Sequence, residues 1–169
     1  MRATSLFLPA VALAWVAFAT MLAAKNDTSS EDTSPIFGVT IPEEYRHWEL
    51  IAPAQEGEPF DELRTVLGNE LAIKTYRAAT LPFPDGTVLA KLAWKRVRSP
   101  EFESAAVPGA PTSLQFMVKD SQRYAATGGW GFGKFVDGKV ADEPQHHACF
   151  ACHDARVKGH DFVFTRFAP

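Results

Sequence analysis

At 169 residues and 46% apolar, the chain is long enough for one domain with a real core. A net charge of −3 with no basic block excludes the electrostatic footprint of a nucleic-acid binder. Phe alone contributes 13 residues, a supply of rings suited to packing a flat apolar cofactor.

The N-terminus reads as an export signal. Arg2 supplies a short positive region, Leu6 to Ala24 is almost free of polar residues, and Ala19, Ala23 and Ala24 suit a signal peptidase. The apolar run is also close to bilayer-spanning length, so residues 1–24 are a signal peptide or an N-terminal membrane anchor at residues 6–24. Either one places the rest in the periplasm or another exported compartment. Residues 25–35 are polar and aperiodic, a flexible tether, and the folded domain is expected over 36–169.

Pro42 to Tyr45 has the look of a first helical turn, with acids near its positive end. Trp48 to Ala52 suits a strand, and Gln55 to Pro59 a loop. Leu63, Thr65 and Leu67 alternate with Arg64 and Val66 in a half-buried strand that Gly68-Asn69 ends. Glu70 to Ala79 is spaced for a short amphipathic helix. After the turn at Pro82 to Gly86, a strand is expected from Thr87 to Val97. Its alternation puts Leu89, Lys91, Ala93 and Lys95 on one face and Val88, Ala90, Leu92 and Trp94 on the other. Ser99 to Thr112, rich in Pro, Ala and Gly, reads as a loop. Strands follow at Leu114 to Lys119 and Trp130 to Val136, with a short helix capped at Asp120-Ser121 between them and a hairpin turn at Asp137-Gly138 after them. Phe162 to Phe164 is a short strand or packing segment. The fold class is α+β: a mainly antiparallel β-sheet with a few short helices.

Near the C-terminus, Cys149, Cys152 and His153 form C-x-x-C-H, the attachment signature of a c-type haem. Thiols at that spacing can each add to one porphyrin vinyl group, and the adjoining imidazole is then held beneath the iron as an axial ligand. Three other readings exist. A disulfide between residues this close is strained. A redox dithiol belongs at the start of a βαβ unit, and none precedes Cys149. Zinc needs a fourth ligand, which His146, His147 or His160 could supply. Soluble electron-carrying c-type cytochromes are small and helical with the motif near the N-terminus, the reverse of this arrangement.

Several segments in this order and spacing are familiar: Tyr45-Arg46-His47-Trp48, Glu62 to Val66, Pro84 to Val88 with Lys91 after it, Val118 to Ser121, Gly129 to Phe132, Cys149 to His153, and Asp161 to Thr165. Together they resemble the cytochrome P-460 family, which includes the β-sheet cytochromes c′-beta. The resemblance implies a homodimer with one haem c per chain and an open coordination site opposite the proximal histidine. In one branch a lysine is bonded to the haem, and hydroxylamine is oxidised with electrons passed to an acceptor such as another c-type cytochrome. The c′-beta branch binds nitric oxide or other small gases without turnover.

The resemblance assigns the cross-linking position to Lys91; from spacing alone Lys91 is an exposed sheet lysine. Arg64 matches an arginine of the distal pocket, where it can donate to a bound N–O species; its other reading is an ion pair with Glu62 or Asp61. A distal proton acceptor falls a few residues before the first haem cysteine in the family, which makes Asp142 and Glu143 the candidates; both also read as exposed loop acids. His153 is the metal ligand. Met117, after the leader the one methionine left, reads as core.

Overall fold

The computed structural model describes residues 32–168. The leader and most of the tether lie outside the described residues. The described chain is anchored from Ser34, whose buried hydroxyl donates to Phe132 O (3.0 Å) and accepts from Val39 N (2.9 Å).

Six antiparallel strands lie side by side in chain order: β1 (Glu49–Glu56), β2 (Glu62–Gly68), β3 (Val88–Arg98), β4 (Ala106–Lys119), β5 (Trp130–Val136) and β6 (Lys139–Val140). A helix, α1 (Glu70–Arg77), joins β2 to β3, and a second, α2 (Glu143–Val157), follows the sheet. Asn69 caps α1 by accepting from Ala72 N at 3.0 Å. Gly68 is required just before it, because a Cβ there would sit 2.7 Å from Ile51 Cδ1 and 2.8 Å from Ala72 Cβ.

Four local expectations are corrected. The Pro-rich stretch before Thr112 is not all loop, since β4 begins at Ala106. Pro108 and Pro111 pair with Arg96 and Trp94 across two register shifts, whereas β5 covers β4 only from Leu114 onward. This half of β4 is therefore a sheet edge, where a missing N–H is tolerated. Asp120-Ser121 opens a run of turns followed by a 3-10 turn at Ala125–Thr127 rather than a helix through Tyr124, and the expected turn at Pro42 to Tyr45 forms as a 3-10 turn at Tyr45–His47. The strand expected at 48–52 also runs on to Glu56.

Registers put Val66, Lys91, Gln115 and Lys134 in one row across β2 to β5, with Arg64, Ala93 and Ser113 in the row beside it. These side chains share one face of the sheet. Further along that face, Leu89, Met117 and Phe132 enter the core. There Tyr76, Phe83, Trp130 and Phe167 make ring contacts at centroid distances of 5.0–5.9 Å. The C-terminal segment closes this end, with Ala168 N donating to Ile51 O at 2.9 Å.

Candidate functional site

The C-x-x-C-H segment lies in the 15-residue α2. Asp142 is its N-cap, accepting from Gln145 N, with Glu143 and Pro144 in the first turn. On a helix, Cys149, Cys152 and His153 fall at i, i+3 and i+4, so both sulfurs and the imidazole are presented along one stripe. Neither cysteine is in a disulfide; Cys152 is exposed and Cys149 half-buried. Burial pushes the Cys149 thiol up from its ordinary pKa.

His153 is held on three sides. Phe132 and Phe164 meet its ring edge-on at 5.0 and 4.9 Å. Its Nδ1 lies 2.6 Å from the carbonyl oxygen of Phe162, so the N–H there donates to a backbone acceptor. That bond fixes the tautomer and leaves Nε2 as the lone-pair nitrogen. Burial also lowers the His153 pKa, partly offset by the Phe162 carbonyl, which keeps the ring neutral at neutral pH. A neutral imidazole with one nitrogen tied back is the form that ligates a metal.

Across from the helix is the charged row of the sheet. Lys91 makes no hydrogen bond or ion pair among the described residues, yet it is half-buried. Desolvation, helped by the neighbouring Arg64 charge and opposed by Glu62 and Cys149, lowers its pKa to about 8. Phe132, two residues from Lys134 on the same face of β5, meets the Phe150 and His153 rings of α2 at 6.3 and 5.0 Å, so sheet and helix meet beside this row. Arg64 pairs with Glu56 and with Glu62, whose Oε2 accepts from Nε (3.0 Å) and Nη2 (2.8 Å). Glu62 is itself buried and takes a third bond from Thr112 Oγ1 at 2.7 Å. Burial lowers the Arg64 pKa without threatening its charge.

Of the residues expected from sequence, Lys91 and Arg64 stand on one face of the sheet, and Cys149 and His153 reach that side from α2, while Cys152 is exposed. Asp61 pairs with Arg96 and leaves Arg64 to Glu56 and Glu62. Asp142 is used by the helix cap, and Glu143 is exposed beside His147. His146 is fully buried with both ring nitrogens committed, Nδ1 to Asp142 O (2.8 Å) and Nε2 to Lys134 N (3.1 Å). His160 Nδ1 lies against Val163 O at 2.8 Å. Among the described residues no three His, Cys, Asp or Glu side chains come together as a metal site, so the zinc reading has no ligand set. The ion pair of Arg64 with Glu62 is one of its two readings from sequence; Thr112 and the Phe162 carbonyl are not singled out there. The Asp-x-x-Gln at the start of α2 is a cap signal that would have found the helix.

A β-sheet wall facing a helix-borne C-x-x-C-H, with a neutral histidine tied back through Nδ1, defines a c-type haem protein built on a sheet rather than on helices. The match to known families agrees. The chain belongs to the cytochrome P460 family, whose model covers residues 42–165. No curated protein matches it.

Proposed function

We propose that this is an exported mono-haem cytochrome that oxidises hydroxylamine or a related small nitrogen compound. Haem c would be held by thioethers to Cys149 and Cys152, with His153 Nε2 as the axial nitrogen. Bound there, the haem supplies a redox-active iron with one coordination position open to a small nitrogenous ligand. The other tasks fall to the chain. Arg64 has five N–H donors and directs at least three contacts to Glu56 and Glu62. Its charge is balanced by these acids, so it would serve a bound N–O group through directed hydrogen bonds more than through net charge. Glu62, buried on the same wall, is better placed than Asp142 or Glu143 to accept a proton.

The observation that carries the enzymatic reading is Lys91. A lysine with no hydrogen bond or ion pair among the described residues, and a pKa of about 8, has a nucleophilic amine available near neutral pH. Bonding its Nζ to a porphyrin meso carbon would remove one N–H and one C–H hydrogen with two electrons, which an external two-electron oxidant such as a peroxide would take up. The purified holoprotein should therefore weigh two hydrogens less than chain plus haem joined at both cysteines, and its reduced Soret band should be strongly red-shifted. An unmodified mass with an ordinary ferrous spectrum overturns the cross-link.

The gas-binding alternative is favoured by one observation: neither acid just before the haem cysteines is directed at the wall, since Asp142 caps α2 and Glu143 is exposed. A protein of that kind would bind nitric oxide avidly and leave hydroxylamine untouched.

Export through the leader, a c-type cytochrome as electron acceptor and a homodimeric assembly complete the proposal. In support of the last, the opposite sheet face carries a groove lined by Pro53, Gln55, Leu63, Thr65, Trp94 and Pro108. Sedimentation of the purified protein tests it, a monomer at micromolar concentration being the contrary result.

A further inference from the structure

Asp161 and Phe162 both have left-handed backbone conformations, with φ of 48° and 62°. Neither is glycine, so each conformation is strained and persists only if its surroundings hold it. The turn they make is the one that aims the Phe162 carbonyl at His153.

What holds it is a buried ion pair. Lys119 Nζ lies 2.7 and 3.0 Å from the two carboxylate oxygens of Asp161. The two side chains are only 6% and 9% exposed. Lys119 Nζ also donates to Gly128 O at 3.1 Å and sits 4.9 Å over the Trp130 ring. Asp161 further accepts from Phe83 N (2.8 Å), and its carbonyl accepts from Trp130 Nε1 (2.8 Å). Phe162 N is tied to Val157 O at 3.0 Å, at the end of α2. Its ring packs so closely on Gly128 that a Cβ there would lie 2.2 Å away. Lys119 thus grips the turn through Asp161 and its packing surface through Gly128.

We infer that Lys119 and Asp161 are positioning residues for the haem iron: their ion pair fixes the Phe162 carbonyl on His153 and thereby sets the donor strength of the axial imidazole. A short bond from Nδ1–H gives the ring more imidazolate character, which strengthens its bond to iron and favours the ferric state. This rests on His153 being the axial ligand, as proposed above.

The test uses the ferrous holoprotein and two measurements, the iron–histidine stretch in resonance Raman and the haem midpoint potential. Lys119→Met combined with Asp161→Asn removes both charges and leaves none unpaired, while Asn keeps an acceptor for Phe83 N. This double variant should show a lower stretching frequency and a higher potential. Asp161→Asn alone should shift both in the same direction by less, and it serves where the double variant takes up no haem. Lys119→Arg should restore both readings. Haem-loaded variants with the wild-type stretch and potential overturn the inference and leave the function standing. A wild-type protein with no iron–histidine band takes down both.

Discussion

Two lysines are withdrawn from solvent on this sheet, and their surroundings could hardly differ more. Lys119 has both oxygens of Asp161, the Gly128 carbonyl and the Trp130 ring around its ammonium. Lys91 has no hydrogen bond or ion pair among the described residues, and its pKa falls to about 8. A buried charge with every donor satisfied contributes to a fixed conformation. One left without partners carries a cost that folding alone does not explain, and such groups concentrate at working sites. The turn that holds His153 is locked, while the Lys91 side of the sheet is left unsatisfied.

That contrast can be broken most severely at the two cysteines that would tie the cofactor. Replacing both Cys149 and Cys152 with alanine should abolish covalent pigment entirely, with all residual haem extractable by acidified organic solvent. Haem that resists extraction from this variant would mean that another residue, with Lys91 the first suspect, holds it.

Next in size is the locked lysine. Asp161→Ala leaves the Lys119 ammonium buried and unpaired and Phe83 N without its acceptor. Losing one partner of a buried pair costs about 3–5 kcal/mol, read as a fall in the denaturant midpoint. A loss below about 1 kcal/mol would show the pair to be solvated, like a surface pair.

The reactive lysine should behave with the opposite sign. In the haem-free chain its pKa is about 8 against an ordinary 10.5. Below pH 8 the ammonium is charged in both states and the folded state bears the whole penalty. Between pH 8 and 10.5 the folded form sheds its proton first, so stability rises through that window and the penalty is gone above it. Lys91→Met should therefore stabilise the haem-free chain at pH 7 by on the order of 1–3 kcal/mol. The gain should fade between pH 8 and 10.5, as followed by paired denaturant curves. Arg64→Leu should weaken the same effect by removing a like charge.

The sequence shows the difference between these lysines only in part. Alternation in β3 places Lys91 on the face of Leu89 and Ala93, and the register confirms that face. The strands between strong turns, such as β5 before Asp137-Gly138, are legible because period and turn chemistry agree. The first half of β4 is not, since Pro108 and Pro111 deny the local signal and the edge position that tolerates them is a property of the whole sheet. The partner of Lys119 is equally hidden. Asp161 lies 42 residues away and meets it only through a left-handed turn that no glycine announces. C-x-x-C-H is visible at once because covalent chemistry imposes a local spacing. The carbonyl that completes its histidine comes from a fold-level approach and carries no residue signature.

The smallest effect distinguishes the two sulfurs themselves. Cys152 is exposed, whereas Cys149 is half-buried, donates to Gln145 O at 3.3 Å and has its pKa raised by burial. Reactivity toward an alkylating agent follows thiolate fraction and access, and burial lowers both at Cys149. In the haem-free chain at pH 8, mass-resolved alkylation should label Cys152 faster than Cys149. Lys91 opposes part of the burial effect on Cys149, so Lys91→Met should widen the gap. Equal rates in both proteins would mean that the helix does not hold Cys149 against the Lys91 wall, and the pairing of reactive lysine and haem cysteine would lose its geometric footing.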